Sequence, residues 1–381
     1  MPTFSGRFPP FAREMRCLGY NAERHELKFS SGESKETMST TPILPTSVIG
    51  SHAYPGWMLA GLEAIEAGKF GETDRQELFD DAVTIAIHDQ EEAGIDTITD
   101  GEMRRWYFVQ SFFRRMSGLE KLEPLRKMGV YGYDSVPRYK AVAPVTLPRG
   151  LGIVEEFKYL KSHTRSKIKA TCPGPVTLSI HIRTKDSTAY PDRNKLYWEF
   201  VPVINAELKA LVAAGAEYIQ IDEPSAAIVR GELEEYTKLF NAAVEGVKAK
   251  IGYHVCFGNL ASRPRGKRDY GWMITELLKV NCQQLILEFA NREMKEINLL
   301  KEISAHREVG VGVVDIKSFY VESAEDVAER IREALKYAPA EKMTLVPDCG
   351  LFQLPRWLAV LKLKSLVEGT KVVRKELTGS A

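Results

Sequence analysis

The chain has 381 residues, 44% of them hydrophobic and 27% charged, which is the composition of a globular protein. A formal net charge of +1 offers no electrostatic case for nucleic acid or an anionic membrane as partner. No apolar run approaches the roughly 18 residues that cross a bilayer, and five scattered cysteines suit a reducing compartment, the cytoplasm, better than a disulfide scaffold.

Residues 1–45 read as a poorly ordered extension, since Ser30 to Thr41 is rich in Ser, Thr, Gly and Glu. From residue 46 short β-like runs recur, each ending in polar or Gly/Pro residues. In chain order they are Ser47–Ser51, Thr97–Glu102, Ile168–Cys172, Tyr218–Asp222, Tyr253–Cys256, Leu285–Glu288, Val311–Asp315 and Thr344–Asp348. Helical patterns lie between them; Phe200, Val203, Ile204, Leu208 and Leu211 have the three-four spacing of an amphipathic helix. Strands alternating with helices predict an α/β fold, a (β/α)8 TIM barrel over 46–381, with a doubly wound open sheet as the alternative. The interval 103–167, rich in Arg and Tyr (Arg104, Arg105, Tyr131, Tyr133, Tyr139), is too long for one loop and helix. It reads as an insertion after the second strand, carrying a hairpin and a helix and serving as a substrate lid.

The polar residues of interest cluster at the strand ends, the face on which barrel active sites lie. His254 and Cys256 alternate along one strand and share a face. Glu288 and Cys349 end later strands, so the four converge as a candidate tetrahedral zinc site. A lone cysteine is more often a buried small hydrophobe, and Cys172 and Cys282 are read that way. Two thiolates and a carboxylate outweigh the charge of Zn2+ by about one unit. An electron-rich zinc is a poor activator of water and a better place to deprotonate a thiol, with the carboxylate as the ligand most easily displaced. That favours alkyl transfer to sulfur over hydrolysis. Glu102 and Asp222 end strands on the same face and suit an α-ammonium; the competing reading of Asp222-Glu223-Pro224 is a plain strand-to-turn stop.

Tyr218-Ile-Gln-Ile-Asp-Glu-Pro224, His254-Val-Cys256, Leu287-Glu-Phe289, Gly312-Val-Val-Asp-Ile316 and Pro347-Asp-Cys-Gly350 resemble the C-terminal catalytic domain of cobalamin-independent methionine synthase. Ile49-Gly-Ser51, Gly101-Glu102 and Gly174-Pro-Val-Thr177 add to the resemblance, which runs from about 47 to 365 in order. It implies a (β/α)8 barrel whose zinc is held by His254, Cys256, Glu288 and Cys349 and activates homocysteine. It also implies homocysteine binding by Ile49, Gly50, Ser51, Glu102 and Asp222. The family's N-terminal barrel has no counterpart, so the chain resembles a short, single-barrel form. The chain departs from the family on the donor side. The proton-donor histidine of an Asp-Ile-His stretch is Lys317 here, the pterin-stacking aromatic is His181, and a folate-contacting glutamate is Ile228.

Three readings follow. The first is a zinc-dependent S-methyltransferase of methionine biosynthesis, with methylcobalamin, a corrinoid protein or a folate as donor. There Lys317, Asp222 and Glu102 are the catalytic candidates, and His181 faces the donor. The second is a thiol-alkylating enzyme resembling epoxyalkane–coenzyme M transferase, whose sulfonate would call on Lys317, Arg104, Arg105 or Arg183. The third is a non-catalytic zinc-holding barrel with a closed four-ligand site.

Overall fold

The computed structural model describes residues 42–106, 108–124, 136–185, 187–229, 231–259 and 267–379. Most of the extension expected over 1–45, together with Tyr131 and Tyr133, lies outside these residues. Among the described residues no helix is long and apolar enough to cross a membrane.

The strands are β1 (Thr97–Ile98), β2 (Ser117–Leu122), β3 (Arg138–Thr146), β4 (Lys167–Ile168), β5 (Ala170–Pro173), β6 (Ile182–Arg183), β7 (Tyr218–Asp222), β8 (Lys250–Val255), β9 (Gln284–Leu287), β10 (Glu308–Val314) and β11 (Met343–Pro347). Six of them form one parallel sheet in the order β11-β10-β9-β8-β7-β5, and β1 pairs in parallel with β4. β7, β9 and β11 are nearly continuous apolar runs because both faces are covered, one by helices and one by the interior. Helices such as Glu72–Ala93, Ile153–His163, Arg193–Ala213 and Ala324–Leu335 alternate with these strands. In Arg193–Ala213 the predicted stripe is real: Phe200, Ile204, Leu208 and Leu211 are fully buried.

The first predicted strand, Ser47–Ser51, forms no regular ladder. It touches its neighbours through single parallel bridges, Thr46 with Leu345 of β11 and Ser47 with Thr97 of β1. The bonds are Ser47 N to Leu345 O at 2.9 Å, Leu345 N to Pro45 O at 2.8 Å and Thr97 N to Thr46 O at 3.1 Å. Beyond Ser47 the carbonyls turn to side chains. Val48 O accepts from Lys169 Nζ (2.5 Å), Ile49 O from Gln220 Nε2 (2.7 Å) and Gly50 O from Thr99 Oγ1 (2.6 Å). The second predicted strand ends at Ile98 for a similar reason. Gln90 brackets Thr99, accepting from its N at 3.0 Å and donating to its O at 2.9 Å, and the chain then turns through Gly101 and Glu102, both at positive φ.

Between 103 and 167 lie β2 and β3, an antiparallel pair, and the helix Ile153–His163. That helix follows Gly152, which has no side chain to cap it. Glu207, reaching from Arg193–Ala213, supplies the cap: its carboxylate accepts from Leu151 N (2.9 Å), Ile153 N (2.7 Å) and Val154 N (3.1 Å). A negative charge at a helix start also favours the macrodipole. Glu207→Ala should therefore lower folding stability by about 1–3 kcal/mol, read as a fall in the urea midpoint at unchanged slope. An unchanged midpoint would mean that water replaces the carboxylate without loss.

Candidate functional site

The C-terminal ends of the parallel strands surround one cleft. Ile49, Gly50, Ser51, Glu102, His181, Asp222, His254, Cys256 and Cys349 all line it. Glu288 and Lys317 do not; they lie buried behind it and form an ion pair.

His254, next to last in β8, lies opposite Asp222 of β7. Its Nδ1 lies 2.7 Å from Asp222 Oδ1 and donates to that carboxylate, which leaves Nε2 buried with no hydrogen-bond partner. A carboxylate on the far nitrogen fixes the ring and its tautomer, the usual preparation of a metal-ligating histidine. Burial works against charge at this ring, but the Cys256 sulfur and the Asp222 carboxylate outweigh it and push the pKa up to about 10. The Cys256 and Cys349 sulfurs are 3.3 Å apart and unbridged. Ligand atoms of His254, Cys256 and Cys349 all lie within 4.8 Å of one another. The hydrogen bond to Cys349 and burial push the Cys256 thiol well up, so a cation is what would draw its proton off. A soft S,S,N donor set with an orphaned imidazole nitrogen fits zinc.

Glu288 follows β9, placed by Tyr270, whose hydroxyl accepts from Glu288 N and donates to Val255 O, both at 2.9 Å. Its Oε2 faces Lys317 and accepts from Phe257 N at 3.2 Å, while Oε1 is buried without a partner. Glu288 is not among the residues whose ligand atoms all lie within 4.8 Å of one another. Burial disfavours the Lys317 ammonium, but Glu288, Cys256 and Cys349 outweigh it and hold its pKa above the ordinary lysine range. Asp348 anchors the turn after Glu288, accepting from Phe289 N and Ala290 N, both at 2.9 Å.

Glu102 sits at φ 54°, a left-handed conformation that costs a non-glycine residue energy and gathers at functional sites. Its Oε1 accepts from Thr171 Oγ1 (2.7 Å) and Arg105 Nη1 (3.1 Å). Gly50 is a requirement of this arrangement, since a Cβ there would stand 2.6 Å from Glu102 Oε1. Arg105 is in turn held by Glu156 at 2.8 Å and by Thr171 O at 2.8 Å. Asp222 Oδ2 is buried and unpartnered. The cleft thus carries two carboxylates and, among its described lining residues, neither lysine nor arginine.

Sequence reasoning missed several residues. Phe108, Ile180 and Phe352 join Ile228, which the sequence had singled out, in an apolar part of the lining; nothing in the spacing of those three marks them. Asn259 donates to Gly350 O at 3.0 Å and leaves Oδ1 buried and unpartnered in the cleft. Glu223 is more than a turn residue. It accepts from Val176 N (3.1 Å) and Thr177 N (2.6 Å), so it ties the Gly174–Thr177 turn to the end of β7.

The fold and this site define a member of a known enzyme family. A family model described as "Cobalamin-independent synthase, Catalytic domain" matches residues 44–372, and the chain belongs to that family. Among curated relatives, the methionine synthase of Sulfurisphaera tokodaii is 36% identical over 341 residues, covering 89% of this chain and 95% of the relative. That of Saccharolobus solfataricus is 37% identical and covered to 98%. Among solved structures, a B12-independent methionine synthase from Shewanella, in complex with selenomethionine, superposes with a TM-score of 0.73 at 29% identity, covering 88% of this chain and 99% of that one. A methyltransferase from Methanosarcina mazei shares the fold, with a TM-score of 0.59 at 16% identity over 89% of this chain and 95% of that one.

Burial, with Asp222 adding to it and Arg105 opposing it, pushes the Glu102 carboxyl up to about 7 from an ordinary 4.5. The folded protein binds this proton more tightly than the unfolded chain. The contribution to stability is present below about 4.5 and is lost as the pH rises through about 7. Glu102→Gln should flatten the stability profile in that window. Denaturant midpoints measured across it check this; identical slopes in both proteins would contradict it.

Proposed function

We propose that this chain is a zinc-dependent S-methyltransferase that converts homocysteine to methionine, on an eight-stranded parallel (β/α)8 barrel whose first strand is the 46–51 segment. The observation that carries the reading is the pairing, in one cleft, of a soft His254, Cys256, Cys349 cluster with two carboxylates and, among the described lining residues, neither lysine nor arginine. A thiol at one end and an ammonium at the other describe an amino-acid thiol. The Shewanella relative holds selenomethionine, which carries the same ammonium and carboxylate groups.

His254, Cys256 and Cys349 would hold the zinc, with Glu288 as fourth ligand through its unpartnered Oε1. When bound there, zinc supplies a place at which a substrate thiol gives up its proton and keeps its nucleophilicity. The chain's own residues do the rest. Asp222 Oδ2 and the Glu102 carboxylate take the ammonium, and Ile49, Gly50 and Ser51 wall the amino-acid end. Lys317 keeps Glu288 Oε2 occupied from behind, and it can hand a proton to a departing group only by giving up that partner. The 103–167 segment serves as the lid, with 1–45 as an extension outside the catalytic domain 46–381.

On the donor side stand His181 and the apolar Phe108, Ile180, Ile228 and Phe352. That surface suits methylcobalamin or a corrinoid protein better than a folate with its anionic tail. The same charge balance disfavours a sulfonate thiol of the coenzyme M type. Arg104 pairs with Asp80, Arg105 is spent on Glu102, Glu156 and Thr171, Lys317 is spent on Glu288, and Arg183 is exposed. An open cleft beside the sulfurs also disfavours a purely structural metal. Unbridged cysteines fit the cytoplasm.

The test is methionine formation by the zinc-loaded protein from homocysteine with each donor in turn. Cys349→Ser should lose both stoichiometric zinc and turnover. A variant that keeps full zinc and full turnover would break the ligand assignment, and no methionine from methylcobalamin, corrinoid protein or folate would overturn the reaction itself.

A further inference from the structure

Gln220 lies in the middle of β7, fully buried below the cleft, and is not among the residues that line it. All of its amide is used. Its Oε1 accepts from Lys169 Nζ at 2.7 Å, and its Nε2 donates both to Ile49 O (2.7 Å) and to Asp222 Oδ1 (2.6 Å). The amide cannot be turned over. Its oxygen must face the Lys169 ammonium, so the NH2 must face two acceptors, one proton to each. Lys169 is fixed in turn by Val48 O at 2.5 Å. Two successive carbonyls of the chain leading into Gly50-Ser51 are thus held by one buried Lys–Gln pair.

We propose that Gln220 is a positioning residue for the ammonium end of the substrate. It chooses which oxygen of Asp222 faces the cleft, and it locks that oxygen to the wall formed by Ile49, Gly50 and Ser51. Asp222 Oδ1 receives two donors, Gln220 Nε2 and His254 Nδ1, so Oδ2 is the oxygen left without a partner. Without the Gln220 bond, rotation about the carboxylate's own axis is restrained by His254 alone. The 49–51 segment would also lose one of the side-chain anchors that stand in for a strand ladder. Gln220 thereby acts on binding of the amino-acid group and on no step at sulfur.

This inference rests on homocysteine as the substrate, and the test separates the two. Steady-state constants are measured for homocysteine and for 4-mercaptobutanoate, which has the same thiol and carboxylate but lacks the ammonium. If wild-type protein shows no preference for homocysteine, the substrate reading fails before Gln220 is tested. Given that preference, Gln220→Leu should raise the homocysteine KM roughly 10- to 100-fold, the scale of a lost hydrogen bond to a charged group. It should leave the 4-mercaptobutanoate KM within about twofold and the zinc content at one per chain. Lys169→Met, which removes the clamp on the amide oxygen and leaves Gln220 in place, should shift the same ratio in the same direction by less. It serves as the test if Gln220→Leu does not fold. Equal weakening of both thiols would show that Gln220 merely supports the barrel, and an unchanged ratio in both variants would overturn the proposal.

Discussion

A single carboxylate oxygen, Asp222 Oδ1, organises the cleft. It accepts from His254 Nδ1 at 2.7 Å and from Gln220 Nε2 at 2.6 Å. The first bond turns the imidazole so that Nε2 meets the two sulfurs. The second joins β7 to the segment that carries Ile49, Gly50 and Ser51. The other oxygen of the same carboxylate is left for a substrate. The His254, Cys256 and Cys349 end of the cleft and the end formed by Ile49, Gly50 and Ser51 are therefore tied together by one residue. Buried polar networks are strong when satisfied, and three of the buried atoms left without a partner, His254 Nε2, Asp222 Oδ2 and Asn259 Oδ1, belong to residues lining the cleft.

Buried charge is balanced in pairs. Arg105 serves Glu102 and Glu156, Lys317 serves Glu288, and Lys362 serves Glu322 at 2.8 Å. Breaking a buried pair leaves an uncompensated charge and is costly, so these cations are poorly placed to greet an anionic ligand. What the cleft itself presents is negative. This is the physical basis for choosing an ammonium-bearing thiol, and it comes from side-chain pairing that only the folded structure reveals.

Much of the site was legible in the sequence because strand periodicity is simple. His254 and Cys256 are two apart on a strand and share a face, and Cys349 and Asp222 follow short apolar runs that end at the same side of the sheet. The family motifs then supplied Ile49, Gly50, Ser51 and Glu102. What periodicity could not show was where a strand gives way to side-chain bonding. Thr99 leaves the ladder because Gln90 captures both its backbone groups, and Ile49 is held by a glutamine 171 residues away. Nor could it show that Lys317, written where the family has a histidine, would be turned toward Glu288. A residue's neighbours along the chain say little about its partner across an interior.

The most direct measurement is a calorimetric titration of the zinc-loaded protein with homocysteine and, separately, with 2-mercaptoethanesulfonate. The account predicts tight binding of homocysteine with proton release and weak binding of the sulfonate, because the described lining of the cleft offers carboxylates and neither lysine nor arginine. Preference for the sulfonate, or equal binding of the two, would contradict it.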